Sequence, residues 1–260
     1  MIKALFFDID GTLVSFESHK IPASTVQAIK QAKALGVKVF ISTGRPRAFI
    51  NGLEDIENFI DGYITNNGAY INHGDKEIHS NPISRSDTQI LMNYAKEFSF
   101  PTIVMGKHDF GIYNYKEIIK TIFYGGLRIR IDLNRKDVEE VLKDDVFQIT
   151  MFLSPKEEET LMKKVSHCNS GRWCDDFTDI TDKNADKGKA LIKMAEYFNI
   201  DLSQTMSFGD GGNDIPIIKT AGIGVAMGNA NENVKEVSDF VTTSVDQDGI
   251  FNALKHFGVI

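Results

Sequence analysis

Residues 6–13 read FFDIDGTL: an apolar run, Ala4 to Phe7, ends in two acids and a glycine. Such a run reads as a buried strand, and because side chains alternate along a strand, Asp8 and Asp10 point to one side with backbones about 7 Å apart. Two carboxylates so placed repel each other. Either a cation sits beside them or one acid keeps its proton, and both readings imply chemistry.

Outward from this stretch the chain alternates strand and helix signals. Ile2 to Ile9 reads as a strand, Pro22 to Leu35 as an amphipathic helix with Ala28, Ile29, Ala32 and Leu35 at helical spacing, and Val37 to Ser42 as a second buried strand. The last third repeats the alternation: helix 187–198, strand 205–208, helix 213–221, strand 222–226, helix 231–237, strand 239–243 and helix 248–257. This grammar predicts an α/β fold, a doubly wound and mostly parallel sheet with a Rossmann-like core. Between the halves lie helix 86–98, strand 101–105, a helix near 115–123 and strand Leu127 to Leu133 with Arg128 and Arg130 on one face. Helix 135–143, strand 147–153, helix 155–165 and a segment around Arg172 to Thr181 follow. The middle reads as an inserted α/β domain, residues 83–183, with joints near Pro82 and Asn184, leaving a discontinuous core of residues 1–82 and 184–260.

Composition narrows the partners. At 260 residues and 42% hydrophobic content the chain is long enough for a sizeable core, and its net charge of −7 comes without a lysine or arginine block. That argues against a nucleic-acid backbone or an anionic membrane as the main partner. Since the first apolar stretch stops at Asp8 and no later run approaches the roughly 18 residues of a span, a cytoplasmic protein is expected. Two cysteines, Cys168 and Cys174, suggest neither a zinc site nor a disulfide scaffold and are expected as free thiols.

In an open α/β sheet, ligands sit beyond the carboxyl ends of the strands. The residues just past those ends are Asp8 and Asp10; then Ser42, Thr43, Gly44 and Arg45; then Asn66, Asn67 and Gly68; then GDGGND, with Asp210, Asn213 and Asp214. Lys187 begins the helix before that last strand. An EF-hand is excluded because glycine falls fourth in a loop counted from Asp8 and no acid stands twelfth, and no GxxxxGK[ST] occurs. GIGVAMG, residues 222–228, imitates a dinucleotide fingerprint but comes late in the chain, where glycines pack strands and turns equally well. A glycosidase could use Asp8 with Asp10, yet Thr43, Lys187 and the second acid cluster would then have no part.

Taken in order, DIDGT, STGR, the lysine of DKGKAL and GDGGND resemble the four motifs of the haloacid dehalogenase superfamily. A cap inserted between the second and third motifs, with Asn67-Gly68 and GDGGND, is similar to the Cof-like sugar-phosphate phosphatases within it. Pro216, two residues after Asp214, is a small departure that a helix start tolerates.

The resemblance implies that Asp8 attacks phosphorus and carries the phosphoryl group, that Asp10 is the general acid and base, and that Thr43 and Lys187 complete the catalytic set. It further implies Mg2+ on Asp8, the main-chain carbonyl of Asp10 and Asp210, with Asp214 holding Lys187 or a water of the metal. Gly44, Arg45, Asn67 and Asn213 would meet the phosphate or substrate, and Thr12 would hold Asp10. A carboxylate about 3.5 Å from a phosphate meets roughly 5 kcal/mol of repulsion per pair of unit charges at an effective dielectric of 20, so cations are required. In the cap, Arg172, Asp176 and Asp179 are candidates for reading sugar hydroxyls. The expected function is a Mg2+-dependent phosphatase of small phosphorylated metabolites, hexose or pentose phosphates first; a phosphotransferase or mutase, or a non-catalytic phosphosugar-binding regulator, are the alternatives.

Overall fold

The computed structural model describes residues 1–126 and 135–260, with their side chains apart from those of Tyr124, Trp173 and Cys174. The expected strand Leu127 to Leu133, with Arg128 and Arg130, therefore lies outside the described residues. Internal contacts divide the chain into two compact units: Met1–Gly44, Asn51–Ser80 and Asp186–Ile260 form the first, Arg45–Ile50 and Asn81–Ala185 the second.

The first unit opens with β1 (Ala4–Phe7), α1 (Ala23–Ala34), β2 (Lys38–Ser42), β3 (Gly62–Thr65), β4 (Tyr70–His73) and β5 (Lys76–Ser80). All four residues of β1 are buried, which is why the run carries no polar side chain. The hairpin of β4 and β5 was not anticipated; Gly74, at φ +55°, makes its turn.

The second unit holds α2 (Arg85–Phe98), β6 (Thr102–Met105), β7 (Phe110–Tyr113), α3 (Glu117–Lys120), β8 (Arg135–Lys136), α4 (Val138–Val141), β9 (Gln148–Met151), α5 (Pro155–Met162), β10 (Cys168–Cys174) and β11 (Phe177–Asp182). Its strands run in the order β10-β11-β9-β6-β7-β8. The helix expected near 115–123 is one α turn passing into a π turn at Thr121–Gly126, and the one expected over 135–143 is the short strand β8 followed by α4. The segment around Arg172 to Thr181 is an antiparallel hairpin. Leu91, Met92 and Ala95 of α2 pack with Val104, Ile149 and Ile180 on one face of the sheet. Cys168 is buried there as a free thiol, which burial first, and then Asp87 and Asp182, push up to about 12.

The chain then returns to the first unit with α6 (Lys187–Tyr197), β12 (Thr205–Gly209), α7 (Ile215–Thr220), β13 (Ile223–Ala226), α8 (Glu232–Lys235), β14 (Phe240–Val241) and α9 (Gly249–His256). Its sheet runs β14-β13-β12-β1-β2-β3-β4-β5, parallel from β14 to β3 and antiparallel over the last two strands, so the fold is the expected mostly parallel α/β core. Phe6, Phe40 and Ile64 pack with Leu191, Met194, Ile217 and Ile218 of α6 and α7 on one face. Phe7 pairs with Phe208 on one side and Ile41 on the other, so β1, β2 and β12 end level with one another. Among the described residues no helix is long and apolar enough to cross a membrane.

Candidate active site

Three carboxylates and one ammonium meet at that shared strand edge. Asp8 follows β1, its N–H donating to Phe208 O at 3.1 Å, and Asp210 follows β12. Asp186 caps α6 by accepting from Lys189 N at 2.8 Å, which places Lys187 in the first turn with its side chain fully buried. Lys187 Nζ donates to Asp8 Oδ1 at 2.7 Å and to Asp214 Oδ1 at 2.6 Å. The second oxygen of Asp214 accepts from Asp210 N at 3.1 Å and Gly211 N at 3.0 Å, so this carboxylate is committed to Lys187 and its own turn. Pro216 sits in the first turn of α7, where a missing N–H costs nothing.

Close packing demands the glycines around these acids. A side chain on Gly209 at the end of β12 would collide with Asp214, and on Gly188 a methyl would lie 2.6 Å from Pro216 O, so α6 approaches α7 only because Gly188 is bare. Gly11, at φ +79°, turns the chain after Asp10 with its α-carbon against Asp210 and Phe16. The Thr12 hydroxyl donates to Asp210 Oδ1 at 2.7 Å, so its proton serves the second acid loop and not, as the sequence suggested, Asp10.

Burial dominates the electrostatics. It pushes Asp8 well above the usual carboxylate range; Asp214, Asp210 and Asp10 push the same way and Lys187 opposes them. Asp210 is pushed up to about 7, again first by burial, with the Thr12 hydrogen bond and Lys187 opposing and Asp214 and Asp10 adding. For Lys187, burial works against the charge but Asp214 and Asp8 outweigh it, so the ammonium holds its proton more firmly than an exposed lysine. Asp8, Asp210 and Asp214 each bring a carboxylate oxygen within 4.8 Å of the others. Ionised together, the three acids would set three negative charges against one positive, and the donors are all oxygen, which suits one hard divalent cation. Since both oxygens of Asp214 are already bonded, Asp8 and Asp210 are the better ligands and Asp214 the holder of Lys187.

Thr43, Gly44, Asn67 and Asn213 lie on loops of the same unit, whereas Arg45 and the candidates Arg172, Asp176 and Asp179 belong to the second. Thr43 is buried at the end of β2, its N–H donating to Ile64 O at 2.9 Å and its carbonyl accepting from Asn67 N at 3.1 Å. Asn66 and Asn67 both take left-handed backbone, at φ 50° and 55°, followed by Gly68 at φ 96°. This tight turn presents Asn67 Oδ1 to Asn213 Nδ2 at 3.0 Å, and both amides press on Gly44. Arg45 falls in the second unit, buried, with Nη1 donating to Phe49 O at 3.0 Å. Within the second unit Arg172 is spent on structure: Nε donates to Glu158 Oε2 at 2.7 Å, Nη1 to Asp175 O at 2.9 Å and Nη2 to Leu153 O at 2.8 Å. Asp179 accepts from Thr150 at 2.5 Å, and Asp176 is exposed on the hairpin turn.

Sequence reasoning missed Asn229, whose Nδ2 donates to Gly11 O at 2.8 Å and whose Oδ1 accepts from Val245 N at 2.9 Å. It follows β13, and the strand-end rule that found the other residues points to it as well.

The sequence model of a family described as haloacid dehalogenase-like hydrolase matches residues 5–254. YkrA of Bacillus subtilis is 31% identical over 260 residues, covering 99% of this chain and 98% of YkrA. The solved structure of BT4131, described as a haloacid dehalogenase subclass IIB sugar phosphatase, is 44% identical, with a TM-score of 0.91 over 99% of this chain and all of that one. BT1666 from Bacteroides thetaiotaomicron, described among the phosphatases of the same superfamily, is 36% identical with a TM-score of 0.89, covering 100% of this chain and 96% of its own.

Proposed function

As the chain belongs to the haloacid dehalogenase-like hydrolases and is a phosphoric monoester hydrolase, we propose that it hydrolyses small sugar phosphates with Mg2+, passing the phosphoryl group through Asp8. The observation that carries this reading is the buried Asp8, held by Lys187 at 2.7 Å beside Asp210 and Asp214. The sugar comes from the likeness to the sugar phosphatase BT4131.

In this reading an oxygen of Asp8 bonds to phosphorus as the bond from phosphorus to the sugar oxygen breaks, and Asp10 gives its proton to the departing oxygen. Asp10, now a carboxylate, takes a proton from water; the water oxygen bonds to phosphorus, the Asp8 oxygen leaves, and both acids are restored. Lys187 keeps Asp8 ionised and oriented in a site whose burial favours the neutral form. Thr43, Asn67 and Asn213 donate hydrogen bonds to phosphate oxygens, with Gly44 leaving room for the two amides. Asp8 and Asp210, with the main-chain carbonyl of Asp10, would hold Mg2+, which when bound supplies the positive charge that offsets repulsion between carboxylate and phosphate. Residues 83–183 are taken as a cap that reads the leaving group, and the protein as cytoplasmic.

A phosphate-release screen over phosphorylated sugars, nucleotides and cofactors with Mg2+ tests the reading. The expected result is turnover of hexose or pentose phosphates, abolished by chelator, with acid-stable label trapped on Asp8 by rapid quench. Turnover in chelator, label on another residue, or release confined to nucleotides each overturns the corresponding part.

A further inference from the structure

Two acid loops have to be held in one register for Asp8, Asp10 and Asp210 to act together, and a third loop, residues 227–231, ties them. Met227 N donates to Gly209 O at 3.0 Å and Asn231 N donates to Asp210 O at 3.1 Å, so backbone bonds fix this loop to the second acid loop at two points. Asn229 carries the connection on to the first, donating from Nδ2 to Gly11 O at 2.8 Å. Its Oδ1 accepts from Val245 N at 2.9 Å, and this settles the amide: a flip would set oxygen against the Gly11 carbonyl and N–H against N–H. We propose that Asn229 is a positioning residue for the metal site, holding the Gly11 peptide so that the Asp10 carbonyl and the Asp210 carboxylate keep the separation a single small cation requires.

Both loops leave little room for another arrangement. Gly11 is at φ +79° with Asp210 against its α-carbon, and Thr12 bonds Asp210 Oδ1 at 2.7 Å. With Thr12 on one side and Asn229 on the other, the Gly11 peptide is gripped from two directions by groups anchored to the Asp210 side. Losing the Asn229 grip frees the carbonyl end of Gly11 to rotate, while the core beneath, Leu5 to Phe7, is untouched because part of the Asn229 side chain is exposed. Mg2+ tolerates such play badly, since it demands near-octahedral geometry.

The inference rests on the acid cluster being the Mg2+ site. The test is calorimetric titration of Mg2+ into metal-free wild-type protein and Asn229→Ala, without substrate, alongside the melting temperature of each in chelator. Outer contacts of this kind are commonly worth about 10–100-fold in metal affinity, so Asn229→Ala should bind Mg2+ at least about tenfold more weakly and need correspondingly more Mg2+ for half-maximal turnover. Asn229→Asp keeps the acceptor for Val245 but loses the donor to Gly11; its added charge alone would tighten cation binding, so weaker binding there isolates the lost Gly11 bond. An unchanged Mg2+ Kd in Asn229→Ala overturns the inference whether or not the melting temperature falls. Should Asn229→Ala fail to fold, Asn229→Ser takes its place under the same criterion. Wild-type protein that takes up no Mg2+ overturns the metal reading itself, and this inference with it.

Discussion

Lys187, its side chain fully buried, reaches Asp8 at 2.7 Å, and the same ammonium meets Asp214 at 2.6 Å. A buried cation shared by two carboxylates cannot be removed without cost, because the two acids left behind lose their compensation. Lys187→Met should therefore lower unfolding free energy by about 3–5 kcal/mol near neutral pH, measured by urea denaturation, besides removing turnover. A loss under about 1 kcal/mol would show that Asp8, already pushed toward its neutral form by burial, takes up a proton when the ammonium is gone.

Asp8→Asn resembles the protonated acid that burial favours, so the metal-free fold should survive it with little change in melting temperature. Turnover should vanish, since an amide is no nucleophile toward phosphorus, and rapid quench should trap no phosphoenzyme. Residual multiple turnover would remove Asp8 from its assigned part.

For Asp10→Asn the expected result differs between substrates. An aryl phosphate, whose leaving group needs little protonation, should still release about one equivalent of phenol per site and then slow, while a sugar phosphate should barely react. Steady turnover of both would exclude Asp10 as acid and base.

Asp210 gives a pH signature. Its folded-state value, pushed up to about 7 from an ordinary 3.8, means that the metal-free folded protein binds more protons than the unfolded chain between these limits. Stability of the metal-free protein should accordingly fall as pH rises from about 4 to about 7, and Asp210→Asn should flatten that part of the profile. Mg2+ uptake should release protons near pH 6–7 and weaken below that range, which calorimetry in buffers of different ionisation enthalpy reads directly. An Asp210→Asn profile parallel to the wild type would refute the assignment.

Arg172→Ala should destabilise the second unit and leave the rank order of substrates in place, because its guanidinium is bonded to Glu158, Asp175 O and Leu153 O. Differential scanning calorimetry and a substrate panel distinguish this from a reading of sugar hydroxyls, for which the panel would reorder.

What could be read from sequence follows from where the physics is local. The run Ala4 to Phe7 is apolar because β1 is buried on both faces, and parallel strands that end level put Asp8, Thr43, Asn66 and Asp210 on one edge, so a single rule finds most of the site. Strand β5 escaped because it is an edge strand, and Lys76, Glu77, His79 and Ser80 carry no apolar alternation. Its signal was the turn glycine, Gly74. Asn229 escaped because it stands three residues beyond the end of β13, past the glycine of GIGVAMG, and not directly at the strand end. The partner of Thr12 depends on loops 198 residues apart in the chain, and no local pattern encodes which of two nearby acids takes a hydroxyl proton.

Ser80, the last residue of β5, pairs with Tyr70, and two residues before Tyr70 a methyl placed on Gly68 would lie 2.5 Å from the carbonyl oxygen of Asp186. The chain thus leaves the first unit and rejoins it beside the same tight turn, Asn66 to Gly68. Residues 81–185 thus begin and end beside one turn of the first unit, while the rest of the second unit, Arg45–Ile50, comes from the stretch after β2. A short glycine-rich bridge could close the gap at little entropic cost, since both ends are already anchored by the turn. On the proposed role of residues 83–183, exchanging residues 81–185 between relatives should change substrate range and leave every acid of the first unit where it stands, which a substrate panel on the exchanged proteins checks.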